Sequence, residues 1–195
     1  MNIVNSLKFL DSALAILESK KSIKERYKGE IQWLKERKGF WRSNKIRIGV
    51  LGVTSSGKST LINAVIGMEL LSTAVRPTSG QLVSCQKGNK PQAIISFKSS
   101  EDVILQGDSL CLDNIEKYSD ENVNRNNKEN VTGITITTPN FDLGDNVLLI
   151  DSAGLDAYKL ESHEKLSLET LLPTIDMCVF ITTLKQTATK KLRMC

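Results

Sequence analysis

Nine consecutive residues, Gly52-Val53-Thr54-Ser55-Ser56-Gly57-Lys58-Ser59-Thr60, combine two glycines, one lysine and a run of hydroxyls. Gly52 and Gly57 let the backbone curl until several N–H groups converge on one point. A helix starting near Lys58 adds the positive end of its dipole. Such a loop cradles phosphate. Lys58 is placed to reach the β- and γ-phosphates and the Ser59 hydroxyl to ligate Mg²⁺, with Thr54, Ser55, Ser56 and Thr60 as further nucleotide contacts.

A second constellation follows downstream. The apolar run Val147-Leu148-Leu149-Ile150 ends in Asp151-Ser152-Ala153-Gly154. An acid at the carboxyl end of a buried strand, close to a phosphate loop, holds Mg²⁺ directly or through water. Gly154 would offer its backbone N–H to the γ-phosphate with no side chain in the way. Asp-x-x-Gly alone is a common turn former. Its place after an apolar strand, roughly ninety residues beyond the loop, gives it meaning.

These residues need elements to hold them. Residues 45–51 are apolar and β-branched and read as a buried strand; 59–67 read as a helix closed by Gly67. Residues 81–86 and 92–97 read as strands joined by the turn Gly88-Asn89-Lys90-Pro91, and 131–138 alternates as a half-exposed strand does before the turn 144–146 and the strand 147–150. Two hairpin-like pairs before a buried parallel strand predict a sheet with an antiparallel edge. Residues 99–130 interrupt it as a mobile surface insert with one helix at about 109–119 and an Asn-rich tail at 122–130. Residues 163–172 read as a helix ended by Pro173, and 176–183 as a buried strand.

Residues 1–44 read as amphipathic helix. Ile3, Leu7, Leu10, Leu14 and Leu17 form a coiled-coil-like seam; Ile23, Tyr27, Ile31 and Leu34 continue a stripe after a break at Lys20-Lys21-Ser22. A stripe of this kind must bury itself against something, with Trp33, Phe40 and Trp41 as anchors near its end. The predicted organisation is thus a helical segment, 1–44, and an α/β domain, 45–195.

The phosphate loop, the Ile150-Asp151-Ser152-Ala153-Gly154-Leu155 element and the segment Leu70–Gly80 with its Arg76-Pro77-Thr78 resemble the GTPase domain of the dynamin superfamily, in its bacterial dynamin-like branch. The resemblance implies a P-loop NTPase of three-layer α/β/α type, a GTPase domain incomplete at its C-terminus. It implies GTP as substrate, Mg²⁺ as cofactor, and hydrolysis to GDP and phosphate. It puts Thr78 in switch I, binding Mg²⁺ and positioning the attacking water. Ser55, with Lys58 and Thr78, takes a catalytic role by neutralising charge in the transition state. It also implies a homodimer through the GTPase domain, a membrane surface reached through C-terminal regions beyond this chain, and a cytoplasmic protein peripheral to the membrane. Nucleic acid is not an expected partner. Two departures stand out. Thr54 occupies the place of a water-orienting glutamine in animal dynamins, and no [NT]-K-x-D guanine motif occurs before Cys195. Other P-loop NTPases, an ATPase or a ribosome-associated GTPase, stay open as readings, as does an interaction fragment without turnover.

Length and composition agree with one ordinary domain plus a flanking segment: 195 residues, net charge +4. The charge is uneven. Residues 1–48 hold 12 Lys/Arg against 5 Asp/Glu, and residues 49–195 hold 14 against 17. Such a basic segment is either a solvated face or a surface for an acidic partner or anionic membrane. Cys85, Cys111, Cys178 and Cys195 make no Cys-x-x-Cys pair, which fits a reducing compartment rather than zinc or a disulfide framework. Cys85 and Cys178 are expected in the core, and His163, the single histidine, on a helix surface.

Overall fold

A computed structural model describes residues 3–53, 55–73, 82–120, 122–152 and 171–183. The chain divides into two compact units, Met1–Lys45 and Ile46–Cys195.

The first unit is a helical hairpin. Helix α1 spans Ile3–Ser19, a short α2 spans Lys21–Arg26, and α3 spans Lys28–Arg42. Leu10 and Leu14 from α1 bury against Ile31 of α3, flanked by Leu17 and Leu34. These seam residues recur every three or four positions, the spacing that brings one helix face to a partner. The antiparallel pairing is laced by Lys35–Glu18 at 2.7 Å and by Lys38–Asp11. The seam is narrow: Phe9 is 77 % exposed and Trp33 46 %. Trp41 is also exposed.

The second unit is built on one seven-stranded mixed sheet with core on both faces. Its strands are β1 (Ile46–Gly52), β2 (Val83–Lys87), β3 (Gln92–Phe97), β4 (Val103–Leu105), β5 (Val131–Thr138), β6 (Val147–Asp151) and β7 (Met177–Ile181), in the order β4-β3-β5-β2-β6-β1-β7. Helix α4 (Lys58–Ile66) follows β1, and α5 (Leu112–Ser119) lies in the insert. Alternation along β1 splits the apolar residues between faces. Val50 joins Ile62 and Ile66 of α4 in the larger core, whereas Leu51 joins Ile150, Leu171 and Ile175 on the other side. Each such fully buried side chain is worth about 1.5–3 kcal/mol. This is the α/β architecture expected of a P-loop domain.

The pairing differs from the two hairpins read from sequence. β2 and β3 are not neighbours; β5 lies between them, parallel to β2 and antiparallel to β3. Nor do β5 and β6 pair, because β2 lies between them, antiparallel to β6. The chain makes two interlocked split hairpins. Their connections need cross only one intervening strand, about 10 Å at the usual strand spacing, which even four residues can span. β5 is therefore central rather than half-exposed, with Thr137 and Thr138 buried.

Two other expectations are corrected. Among the described residues β7 pairs only with β1, at the edge of the sheet, and Met177, Cys178, Val179 and Phe180 are exposed rather than core. The 99–130 insert is not a loose tail. Ile115 and Leu105 enter the main core, Tyr118 packs edge-on to Phe97 at 5.7 Å, and Asn124 is fully buried. Of the predicted helix at 163–172, residues 163–170, His163 among them, lie outside the described residues, and a 3-10 turn, Leu172–Thr174, holds Pro173. Among those described, no helix is long and apolar enough to cross a membrane.

Candidate functional site

The loop after β1 takes its shape from backbone demands that few residues meet. Gly52 has φ 153°, and a Cβ there would lie 2.2 Å from the Ile181 carbonyl oxygen and 2.8 Å from Ser56 Oγ. Only glycine fits. Ser55 is left-handed at φ 59°, a costly conformation for a residue with a side chain. Gly57, at φ 96°, is the N-cap of α4 and turns the chain into the helix. The Ser56 N–H donates to the Val53 carbonyl at 3.2 Å, closing the curl.

Lys58 opens α4 with its side chain buried. Its ammonium donates to the carbonyls of Gly52 at 3.1 Å and Val53 at 2.9 Å, folding back over the loop it follows. One residue on, the Ser59 hydroxyl points across to β6 and donates to Asp151 Oδ2 at 3.4 Å. β1 and β6 run parallel with Val50 beside Asp151, so the carboxylate emerges next to the loop's root. Residues 92 positions apart in the chain thus meet at one corner.

Two buried polar atoms at this corner have no hydrogen-bond partner: Ser56 Oγ and Asp151 Oδ1. Buried polar groups are seldom left so, because each costs about 1–3 kcal/mol unpaired. A hydroxyl and a carboxylate supply the hard oxygen donors that Mg²⁺ takes, while the lysine and helix N-terminus suit phosphate. The residues present fit both groups. Burial pushes the Asp151 carboxyl up to about 6; the nearby Lys58 charge, the Ser59 hydroxyl and the Ser152 N–H pull it partly back. A bound cation would reverse that shift.

The remaining predicted residues separate into two groups. Thr54, Thr78 and Gly154 lie outside the described residues. Ser55 is exposed on the loop, and Thr60 is exposed in the first turn of α4. There Thr60 lines an open groove of about 510 Å³ with Asn63, Met68, Leu71, Thr73 and Leu112.

Two supporting residues carry no obvious signature in the sequence. The Ser152 hydroxyl, buried, donates to the Val50 carbonyl at 2.8 Å and ties the end of β6 to β1 beside Asp151. Asn63 is buried on α4, where its Oδ1 accepts from the N–H groups of Leu70 and Leu71 and its Nδ2 donates to the Leu71 carbonyl. It fixes the chain just before residues 74–81. Its one signal is a polar residue on the apolar side of a helix, beside Ile62.

Comparison with known proteins places this geometry. A profile of the dynamin family matches residues 48–194. Dynamin-like protein 2 of Campylobacter jejuni subsp. jejuni serotype O:23/36 (strain 81-176) is 27% identical over 118 residues, which is 60% of this chain and 18% of that protein. An uncharacterized protein in the xynA 3' region of Caldicellulosiruptor sp. (strain Rt8B.4) is 30% identical over 112 residues, 57% of this chain and 27% of that one. Two solved chains of an oligomerised bacterial dynamin pair, described as a mechanism for long-range sensing and tethering of membranes, share the fold. Their TM-scores are 0.54 and 0.56 at 21% identity, covering 94% of this chain and 31% and 32% of theirs. The chain therefore spans less than a third of the length of each of these relatives. Site geometry, sheet and profile converge, and the chain belongs to the dynamin family.

Proposed function

We propose that this chain binds GTP with Mg²⁺ in the corner between the 52–60 loop and Asp151, and contributes the hydrolytic site of a dynamin-like GTPase. The observation that carries this reading is the constellation of buried Lys58 with partly buried Ser59 and Asp151, where Ser56 Oγ and Asp151 Oδ1 are buried and unpaired. The guanine preference comes from family membership, since no [NT]-K-x-D occurs in the sequence.

In this reading Lys58 leaves the Gly52 and Val53 carbonyls for the β- and γ-phosphates. Ser59, Thr78 and Asp151 hold Mg²⁺, which supplies charge neutralisation on the phosphate oxygens. Ser55 neutralises charge as the β–γ bond breaks, Thr78 positions the attacking water, and Gly154 offers its N–H to the γ-phosphate. Thr54, Ser56 and Thr60 complete the nucleotide contacts. No covalent nucleophile is needed, because positioning and electrostatics carry phosphoryl transfer.

Residues 1–44 would serve as a neck-like helical segment and 45–195 as the GTPase domain. The full-length protein would act as a homodimer through that domain, in the cytoplasm and peripheral to a membrane that it remodels. Replacing Lys58 by Ala is expected to lower affinity for a fluorescent GTP analogue at least a hundredfold while circular dichroism is unchanged. Undiminished binding would overturn the assignment, and competition by ATP against GTP reads the base preference.

A further inference from the structure

At the closed end of the helical hairpin, Lys20, Lys21, Lys24, Arg26 and Lys28 crowd into nine residues with Glu25 as the one acid. All five cations are exposed. Along the hairpin's length, by contrast, several charges have partners: Lys35 pairs with Glu18 and Lys38 with Asp11, and Glu36 accepts from the Gln32 amide. Lys24 lies near enough to help hold the Glu18 carboxyl below its ordinary range. Lys20, Lys21, Arg26 and Lys28 have no ion pair among the described residues.

The tip is built rather than loose. The Ile23 and Lys24 N–H groups donate to the Lys20 carbonyl at 3.1 and 2.9 Å, and the Tyr27 N–H to Ile23 at 2.9 Å. No residue of α2 is buried, and all but Ile23 are exposed. Tyr27 stands 39 % exposed with the Arg26 guanidinium 5.6 Å from its ring centroid, and half-exposed Ile23 sits one helical turn before it.

We propose that this tip docks on an anionic bilayer surface, its lysines among lipid phosphates and Tyr27 at the headgroup level. A clustered, lysine-rich charge suits a diffuse field of phosphates. An aromatic with a polar tip suits the boundary between headgroups and acyl chains. Nucleic acid is the lesser fit: only one of the tip's five cations is an arginine, and that guanidinium covers a face of the ring a base would stack on. This contact belongs to the hairpin of this chain and is independent of the nucleotide reading.

The test uses the full chain and vesicles of phosphatidylcholine with or without phosphatidylglycerol, in flotation at about physiological salt. The expected result is binding only to the anionic vesicles, lost on raising salt. A triple variant, Lys21→Glu, Arg26→Glu and Lys28→Glu, should reduce the bound fraction at least tenfold. Its helix content and GTP-analogue affinity should stay at the parent level, which separates this inference from the nucleotide one. Undiminished vesicle binding by the variant overturns the proposal. So does equal binding to neutral vesicles, or displacement from anionic vesicles by a polynucleotide at matched phosphate concentration.

Discussion

At the scale of single residues, the sequence disclosed which types would meet but not which atoms each would bond. Lys58, Ser59 and Asp151 were legible because each sits at a fixed offset from a glycine loop or strand end. Ser152 and Asn63 were not, because a buried serine or asparagine looks like any other until its partners are known. Asp151 yields a prediction with a sign. Its carboxyl is raised from an ordinary 3.8 to about 6, so the fold favours the protonated form. Native stability from this group is full below pH 4 and is lost as pH rises through 6, a change of about 3 kcal/mol at 1.36 kcal/mol per unit. In EDTA and without nucleotide, Asp151→Asn is therefore expected to melt higher than the parent at pH 7.5, the gap closing near pH 4. Thermal unfolding across that range checks it. The same variant should lose magnesium-dependent nucleotide affinity.

At the scale of elements, β1, α4 and β6 announced themselves through apolar runs and flanking glycines. The pairing order did not. Periodicity says which residues form a strand but is silent about which strand lies beside it. The Asn-rich stretch hides its order for a related reason, since polarity is not looseness. Asn124 instead donates to the Tyr118 carbonyl, contacts Asn127, and accepts from the Glu129 N–H; Asn127 bonds both the N–H and the carbonyl of Val131. These amides stand in for missing backbone partners and bring the insert back onto β5. Asn124→Ala is expected to cost about 1–3 kcal/mol in urea unfolding, because the Tyr118 carbonyl and the Glu129 N–H lose this partner and a buried side chain is truncated, with no change in nucleotide affinity.

At the scale of the whole molecule, the exposed β7 has the plainest physical consequence for handling. An edge strand bearing Met177, Val179 and Phe180 on its surface is a template for another strand. Met177, at 57 % exposure, touches little, so Met177→Lys should leave the melting temperature within about 2 °C while lowering light scattering at high protein concentration. Unchanged scattering would mean that association runs through another surface. The edge also reaches inward. Gly52 begins the phosphate loop and aligns with Ile181 at the end of β7, whose carbonyl leaves no room for a methyl group. Pulling on the chain beyond Ile181 would therefore peel the strand away from the very residue where the loop begins. On the proposed reading, load on this border would reach a bound polyphosphate through the root of its loop, so that traction and ligand grip share a single hinge.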